Sequence, residues 1–260
     1  MSLKFLYLNE PDMIKAGVMD MKKCVQSMDD MFQVMGQGDY LMGSPSENHH
    51  GMMLWFPEEK RSEKMPMAGP DRRFMAMPAY VGGRFNVCGN KWYGSNIENQ
   101  KKGLPRSILT VMLNDPDTGA PLALMSANLL SSMRTGAAMF SREALLKHSV
   151  VFDNWKMHKD WLDELRHDPE RLLGVNAGHP SAKLLLMVAR GEVDANHMVS
   201  FGDVLAKPEE LGRRSDEDVF IFLTGGMGTE DTAWGFDVYQ EALRQGIGQE
   251  LTLWDKPHWA

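Results

Sequence analysis

The sequence predicts an α+β fold built on a mixed, largely antiparallel sheet, with no doubly wound Rossmann sheet. Three observations predict it. From Phe74 onward a series of β-like runs is separated by turn residues and not by helices. One long apolar helix face precedes that series. After Arg142 the chain becomes mainly helical, and the regular strand–helix alternation that a doubly wound sheet needs over on the order of 100 residues is absent.

Leu3 to Leu8 alternates as a short strand and ends at Asn9-Glu10-Pro11-Asp12, a turn with helix-start character. Ile14, Val18, Met21, Val25, Met28, Phe32 and Met35 then recur in steps of four and three. They predict one helix of about six turns, closed by Gly36 and Gly38. Gly43–His50 is a polar loop, Met52–Phe56 a possible strand, and Pro57–Asp71 a charged loop. Strands are expected at Phe74–Tyr80, Phe85–Tyr93 and Ile108–Asn114. The last turns through Pro116-Asp117-Thr118-Gly119 into Pro121–Met125, a hairpin signal. Asn128–Ala138 reads as a helix. Further on come a brief β run at Val150–Phe152, helical stretches at Trp155–His167 and Ser181–Arg190, and a strand at Val219–Leu223. A helix from Thr229 to Arg244 and a last strand at Leu251–Trp254 close the pattern.

Composition narrows the function classes. With 260 residues, 43% of them hydrophobic and 24% charged, the chain can bury a real core. A net charge of −7 leaves no basic surface for a phosphate backbone, so nucleic acid is not an expected partner. No apolar stretch approaches the ~20 residues that span a bilayer, and the start of the chain lacks the pattern of an export signal. A cytoplasmic protein without a membrane partner is expected. Cys24 and Cys88 sit in no metal-like spacing and read as buried small groups. The 22 methionines fall at core spacings without His or Cys partners, and His49, His50, His148, His158 and His167 form no ligand pair, so no metal is expected.

The most specific stretches are Gly89-Asn90-Lys91-Trp92-Tyr93-Gly94-Ser95-Asn96, Gly103-Leu104-Pro105-Arg106, the hairpin Leu113 to Ala123, and Met133-Arg134-Thr135-Gly136-Ala137. Later come Gly212-Arg213-Arg214-Ser215-Asp216-Glu217, Gly225-Gly226-Met227 with Glu230-Asp231, and Gly246-Ile247-Gly248. In order and spacing this set resembles the ornithine cyclodeaminase/mu-crystallin family, and within it the branch named after tyramine oxidase. The resemblance implies NAD(P)-linked chemistry on amino acids or imines, and dimers formed through the sheets of the substrate domains. It implies that Lys91 and Arg134 hold the substrate carboxylate, a task suited to a guanidinium fork and an ammonium. A third arginine is expected among Arg61, Arg72 and Arg73.

The resemblance also implies a gap. The family's Gly-rich nucleotide domain should follow the Arg134 helix, yet Ala137 runs almost at once into Phe140-Ser141-Arg142, and Val150–Asn154 resembles the family's exit strand. The expectation is a single domain joined from two blocks, 1–137 and about 148–260, at a seam near 138–147. No Gly-x-Asp stretch carrying the family's acid/base precedes Val150, so no catalytic residue is assigned. Gly226-Met227-Gly228 mimics a dinucleotide fingerprint, but Asp231 stands where its third glycine belongs. Thr229, Glu230 and Asp231 read as a helix start with an acidic first turn. No cofactor is therefore expected on this chain. The functional expectation is a substrate-binding and oligomerisation scaffold, inactive alone, with itself and a small amino acid or anion as partners. The alternatives are an enzyme with an atypical cofactor site and a module that pairs with a separate nucleotide-binding chain.

Overall fold

A computed structural model describes residues 2–44, 47–138, 150–152, 154–157, 182–191, 193–212, 221–223 and 225–258, together with 159, 162 and 215. The seam expected near 138–147, most of the Trp155–His167 stretch, and Phe140, Leu145 and Leu146 lie outside the described residues.

The main sheet has eight strands. β1 (Leu3–Leu8) lies between β11 (Gln249–Trp254) and β7 (Pro121–Ser126). From β7 the order continues through β6 (Ser107–Asn114), β5 (Val87–Ser95) and β4 (Arg73–Val81) to β2 (Tyr40–Met42), with β3 (Met52–Trp55) also paired to β4. Only the β1–β7 pairing is parallel; the others are antiparallel. The meander from β4 to β7 follows directly from the sequence. In β4, Met75, Met77, Ala79 and Val81 are buried while Phe74 and Pro78 are exposed, the two-residue alternation of a sheet covered on one face. The β6–β7 turn is closed by Asp115, whose carboxylate accepts from the Thr118 N–H at 2.8 Å, and by Gly119 at φ +72°.

Helices cover one face of this sheet. The expected single helix is two: α1 (Glu10–Lys15) and α2 (Met21–Gly36). Gly17, at φ +89°, breaks the run, and Asp20 caps α2 by accepting from the Lys23 N–H. Cys24, Met28, Met31, Phe32 and Met35 then point into the core with α3 (Asn128–Ala138). Cys24 is buried as expected, and burial pushes its thiol up to about 12; Cys88 is only half-buried.

The second half departs further from expectation. Among the described residues, β8 (Val150–Phe152), β9 (Met198–Ser200) and β10 (Ile221–Leu223) form a second sheet, all parallel, in the order β10-β8-β9. The strand-like runs at Val150–Phe152 and Val219–Leu223 supply two of these; β9 is an addition, too short at three residues to declare a period. α4 (Ala182–Ala189) packs on this sheet through Leu184 and Val188. β9 runs directly into α5 (Phe201–Ala206), followed by α6 (Pro208–Leu211). α5 ties the second sheet to α2: Phe201 meets Phe32 edge-on at 4.9 Å, and a Cβ on Gly36 would lie 2.3 Å from the Gly202 carbonyl oxygen.

The last helix, α7 (Gly228–Gln245), returns across β4, β5 and β6. Glycines let it approach closely. A Cβ on Gly89 would lie 2.4 Å from Thr232 Oγ1, and one on Gly228 would lie 2.7 Å from the Met77 carbonyl oxygen. This contact brings the first turn of α7 down onto the middle of β5, beside Lys91.

Candidate functional site

Lys91 sits on β5 opposite Met77 of β4 and Val111 of β6, facing the helices. Arg134 projects from α3, and both are buried. They converge on one carboxylate: Lys91 Nζ bonds Asp231 Oδ2 at 2.5 Å, and Arg134 Nη2 lies 3.0 Å from the same oxygen. Arg134 Nε donates to Asp231 Oδ1 at 3.1 Å and its Nη1 to Glu230 Oε2 at 2.5 Å. Ser131, one helical turn before Arg134, accepts from Arg134 Nη2 at 3.0 Å and from Lys91 Nζ at 3.5 Å. The two sequence-selected cations are thus brought together, balanced by two buried carboxylates.

Sequence reasoning missed those carboxylates. Glu230 and Asp231 do lie in the first turn of α7, as expected, and both are fully buried. The signal was their setting: two charges inside the otherwise uncharged run Gly225 to Phe236 need buried countercharges. Burial and the neighbouring Arg134 lower the Lys91 amine to about 8, although Asp231 pulls the other way. Burial opposes ionisation of Asp231, but Arg134 and Lys91 outweigh it and hold its carboxyl below the usual range.

Lys91 and Arg134 line a cleft of about 600 Å³ with Arg73, Arg106, Tyr93 and Gly225. Of the three arginines among which a third carboxylate-binding residue was expected, Arg73 lies on this cleft. Arg72 lines a neighbouring hollow on the outer sheet face, and Arg61 is exposed in the loop before it.

The Gly225–Gly228 turn follows β10 and leads into α7, but its glycines serve the site just described. Gly226 has φ +76°, and a Cβ there would lie 2.2 Å from Arg134 Nη1. The space that a pyrophosphate would need beside this backbone holds a guanidinium, and Asp231 adds negative charge. The turn does not fit a dinucleotide. The described parallel strands end at Phe152, Ser200 and Leu223.

Comparison with known proteins fits this architecture. Residues 18–140, just under half of the chain, match the ornithine cyclodeaminase/mu-crystallin family. It is similar to an N-((2S)-2-amino-2-carboxyethyl)-L-glutamate dehydrogenase of Staphylococcus aureus, 30% identical over 145 residues that cover 53% of this chain and 37% of the relative. It is also similar to an alanine dehydrogenase of Archaeoglobus fulgidus, 43% identical over 79 residues covering 30% of this chain and 24% of the relative. The chain therefore spans well under half the length of these curated relatives.

Among solved structures, an archaeal alanine dehydrogenase dimer with bound NAD shares the fold with a TM-score of 0.67 and 18% identity, covering 97% of this chain and 100% of that one. An iminosuccinate reductase of Paracoccus denitrificans in complex with NAD+ matches with a TM-score of 0.65 and 18% identity over 95% and 99% of the two chains. A Δ1-pyrroline-2-carboxylate reductase of Thermococcus litoralis, in complex with NADH and L-proline, has a TM-score of 0.65 at 17% identity over 94% and 99%. All three hold the nicotinamide cofactor, which corrects the expectation that none goes with this chain. That expectation weighed the missing Gly-rich loop and Asp231 after the Gly226–Gly228 turn, and did not foresee a parallel sheet between α3 and α7. Among the described residues, no helix is long and apolar enough to cross a membrane.

Proposed function

We propose that this chain binds an amino or imino acid by its carboxylate at the Lys91–Arg134 site, as the substrate-binding part of an NAD(P)-linked amino-acid dehydrogenase or cyclodeaminase. The observation that carries the reading is the convergence of two buried cations on one cleft wall, each with N–H donors to spare. Lys91 has three donors and Arg134 five, more than Asp231, Glu230 and Ser131 consume. Asp231 sets the separation of the two cations and offsets their burial, so an incoming carboxylate meets a preorganised pair. A nicotinamide, when bound, supplies or accepts a hydride. With its amine near 8, Lys91 can hold or release a proton at Nζ close to a bound imine nitrogen. The segment carrying β8, β9 and β10 is read as a shortened counterpart of the family's nucleotide domain, which its parallel pairing supports.

The oligomerisation half of the reading rests on the other face of the main sheet. Phe74 and Trp92 stack there at 5.6 Å, among exposed Leu54, Ile108 and Met112. An uncovered apolar sheet face of this kind favours pairing with a second copy. The dimeric alanine dehydrogenase among the fold neighbours supports the same assignment. Calorimetric titration with pyruvate, which has a carboxylate but no amine, tests the site. Wild-type protein should bind it, and Lys91→Met should weaken binding at least tenfold; equal binding by both proteins contradicts the assignment.

A further inference from the structure

The cleft carries more positive charge than one carboxylate requires, and the surplus lies at its outer end. The inner group is balanced, with Lys91 and Arg134 facing Glu230 and Asp231. At the outer end Arg73 and Arg106 both line the cleft and share a single carboxylate, that of Asp71. Arg106 Nε donates to Asp71 Oδ2 at 2.5 Å, and Ser95 Oγ donates to the same oxygen at 3.0 Å. Arg73 bonds Asp71 Oδ1 through Nη1 and lies over the Trp55 ring at 5.4 Å.

Two features mark this as a built arrangement. Asp71 holds its carboxylate between the arginines from a backbone at φ +57°, a left-handed conformation that non-glycine residues rarely adopt. Arg73 Nε is buried and has no acceptor among the described residues. Arg106 closes the Gly103-Leu104-Pro105-Arg106 stretch that stood out in the sequence, and its carbonyl accepts from the Asn96 N–H at 2.8 Å, which fixes the loop beside β5. The net charge of the outer group is one positive, close to an anion's complement.

We propose that the preferred ligand is an amino or imino acid with a second carboxylate, which Arg73 and Arg106 receive at the outer end of the cleft. This rests on the reading above, in which Lys91 and Arg134 take the first carboxylate; Arg73, which the family resemblance would add to that inner pair, is bonded instead to Asp71 beside Arg106. The spacing is compatible. Arg73 and Met77, the residue opposite Lys91, lie four residues apart on β4, about 13 Å along the strand. Long side chains leaning toward each other across that interval leave room for a short carbon chain with an acid at each end. A ligand ending in an ammonium meets like charge there instead.

The test titrates full-length protein with L-glutamate, L-norvaline and L-ornithine by NMR or calorimetry. Norvaline keeps the length of glutamate and loses only the second acid. Glutamate should bind at least tenfold tighter than norvaline, and ornithine no better than norvaline. In Arg106→Ala the glutamate-to-norvaline ratio should fall to near one, and Arg106→Lys should restore part of it. Because Arg106 is half-exposed, thermal melting of both variants confirms that they fold. Norvaline binding without a glutamate preference, or a preference unchanged in Arg106→Ala, overturns this inference and leaves the inner site standing. Binding of none of the three overturns both.

Discussion

Two arginine clusters hold α7 against the rest of the molecule, and they differ in burial far more than in chemistry. Arg84 bonds Asp30 of α2 at 2.7 Å and grips Asp237 of α7 with both terminal nitrogens at 2.6 and 2.8 Å. Arg134 makes a comparable fork to Glu230 and Asp231, two turns earlier on the same helix. The Arg84 side chain is 43% exposed and that of Arg134 is 4% exposed. In water-accessible surroundings a fork mostly exchanges hydration for contact, and the gain is small. In a dry site each charge depends on its partner, and removing one leaves the others stranded. Burial is difficult to justify as a stability device, because an apolar cluster would serve as well. A binding role for the inner cluster accounts for it better.

The largest expected effect breaks the inner cluster. Arg134→Met should destabilise the fold by about 3–5 kcal/mol in chemical denaturation, since Glu230 and Asp231 lose their main countercharge. Adding Glu230→Gln and Asp231→Asn should recover part of that loss; no recovery would mean that packing, and not charge, is what Arg134 supplies.

Gly226→Ala should follow at about 2 kcal/mol or more, because a left-handed φ and a collision with Arg134 coincide there. Trimming the guanidinium in the same protein, as Gly226→Ala with Arg134→Lys, should make the two changes non-additive. Strict additivity would separate the turn from the site.

The pH dependence of binding sharpens the comparison next. Lys91 is charged below its value of about 8, so pyruvate affinity should hold at pH 7 and fall by up to about tenfold per pH unit above 8. A profile flat to about pH 9.5 would show that the amine does not contact the carboxylate. The stability effect has the opposite sign. The folded value lies below the ordinary lysine value, so burying the ammonium destabilises below about pH 8, and that penalty fades as pH rises toward the unfolded value. Lys91→Met should lack this rise.

The smallest effect belongs to the exposed Arg84 cluster. Arg84→Ala should lower stability by about 1 kcal/mol or less, and by less still in high salt. A loss as large as that of Arg134→Met would erase the distinction between the two forks.

How much was legible in the sequence depended on whether a residue's role was local. The β4–β7 meander was readable because alternation and the Asp115–Gly119 turn are local patterns, and α3 matches its expected range of Asn128–Ala138. The break at Gly17 was not, since the apolar spacing continues through it and only the backbone's positive φ reveals the end of α1. β2 and β9, at three residues each, carry too few side chains to show a period. Lys91 and Arg134 were found through the motifs around them. Glu230 and Asp231 were legible as the acidic first turn of a helix, but not as partners of Lys91 and Arg134. Only the close packing of α7 on Gly89 buries them, and the Lys91–Asp231 bond that results joins residues 140 apart in the chain.

The central claim is that the inner cluster is a receptor for a substrate carboxylate. The most direct test is a crystal structure of the chain grown with L-norvaline or L-glutamate. The account predicts the α-carboxylate within hydrogen-bond distance of both Lys91 Nζ and the Arg134 guanidinium, with Asp231 still bonded to Lys91. A ligand seated elsewhere in the cleft, with Lys91 and Arg134 bonded only to Glu230, Asp231 and Ser131, would contradict it.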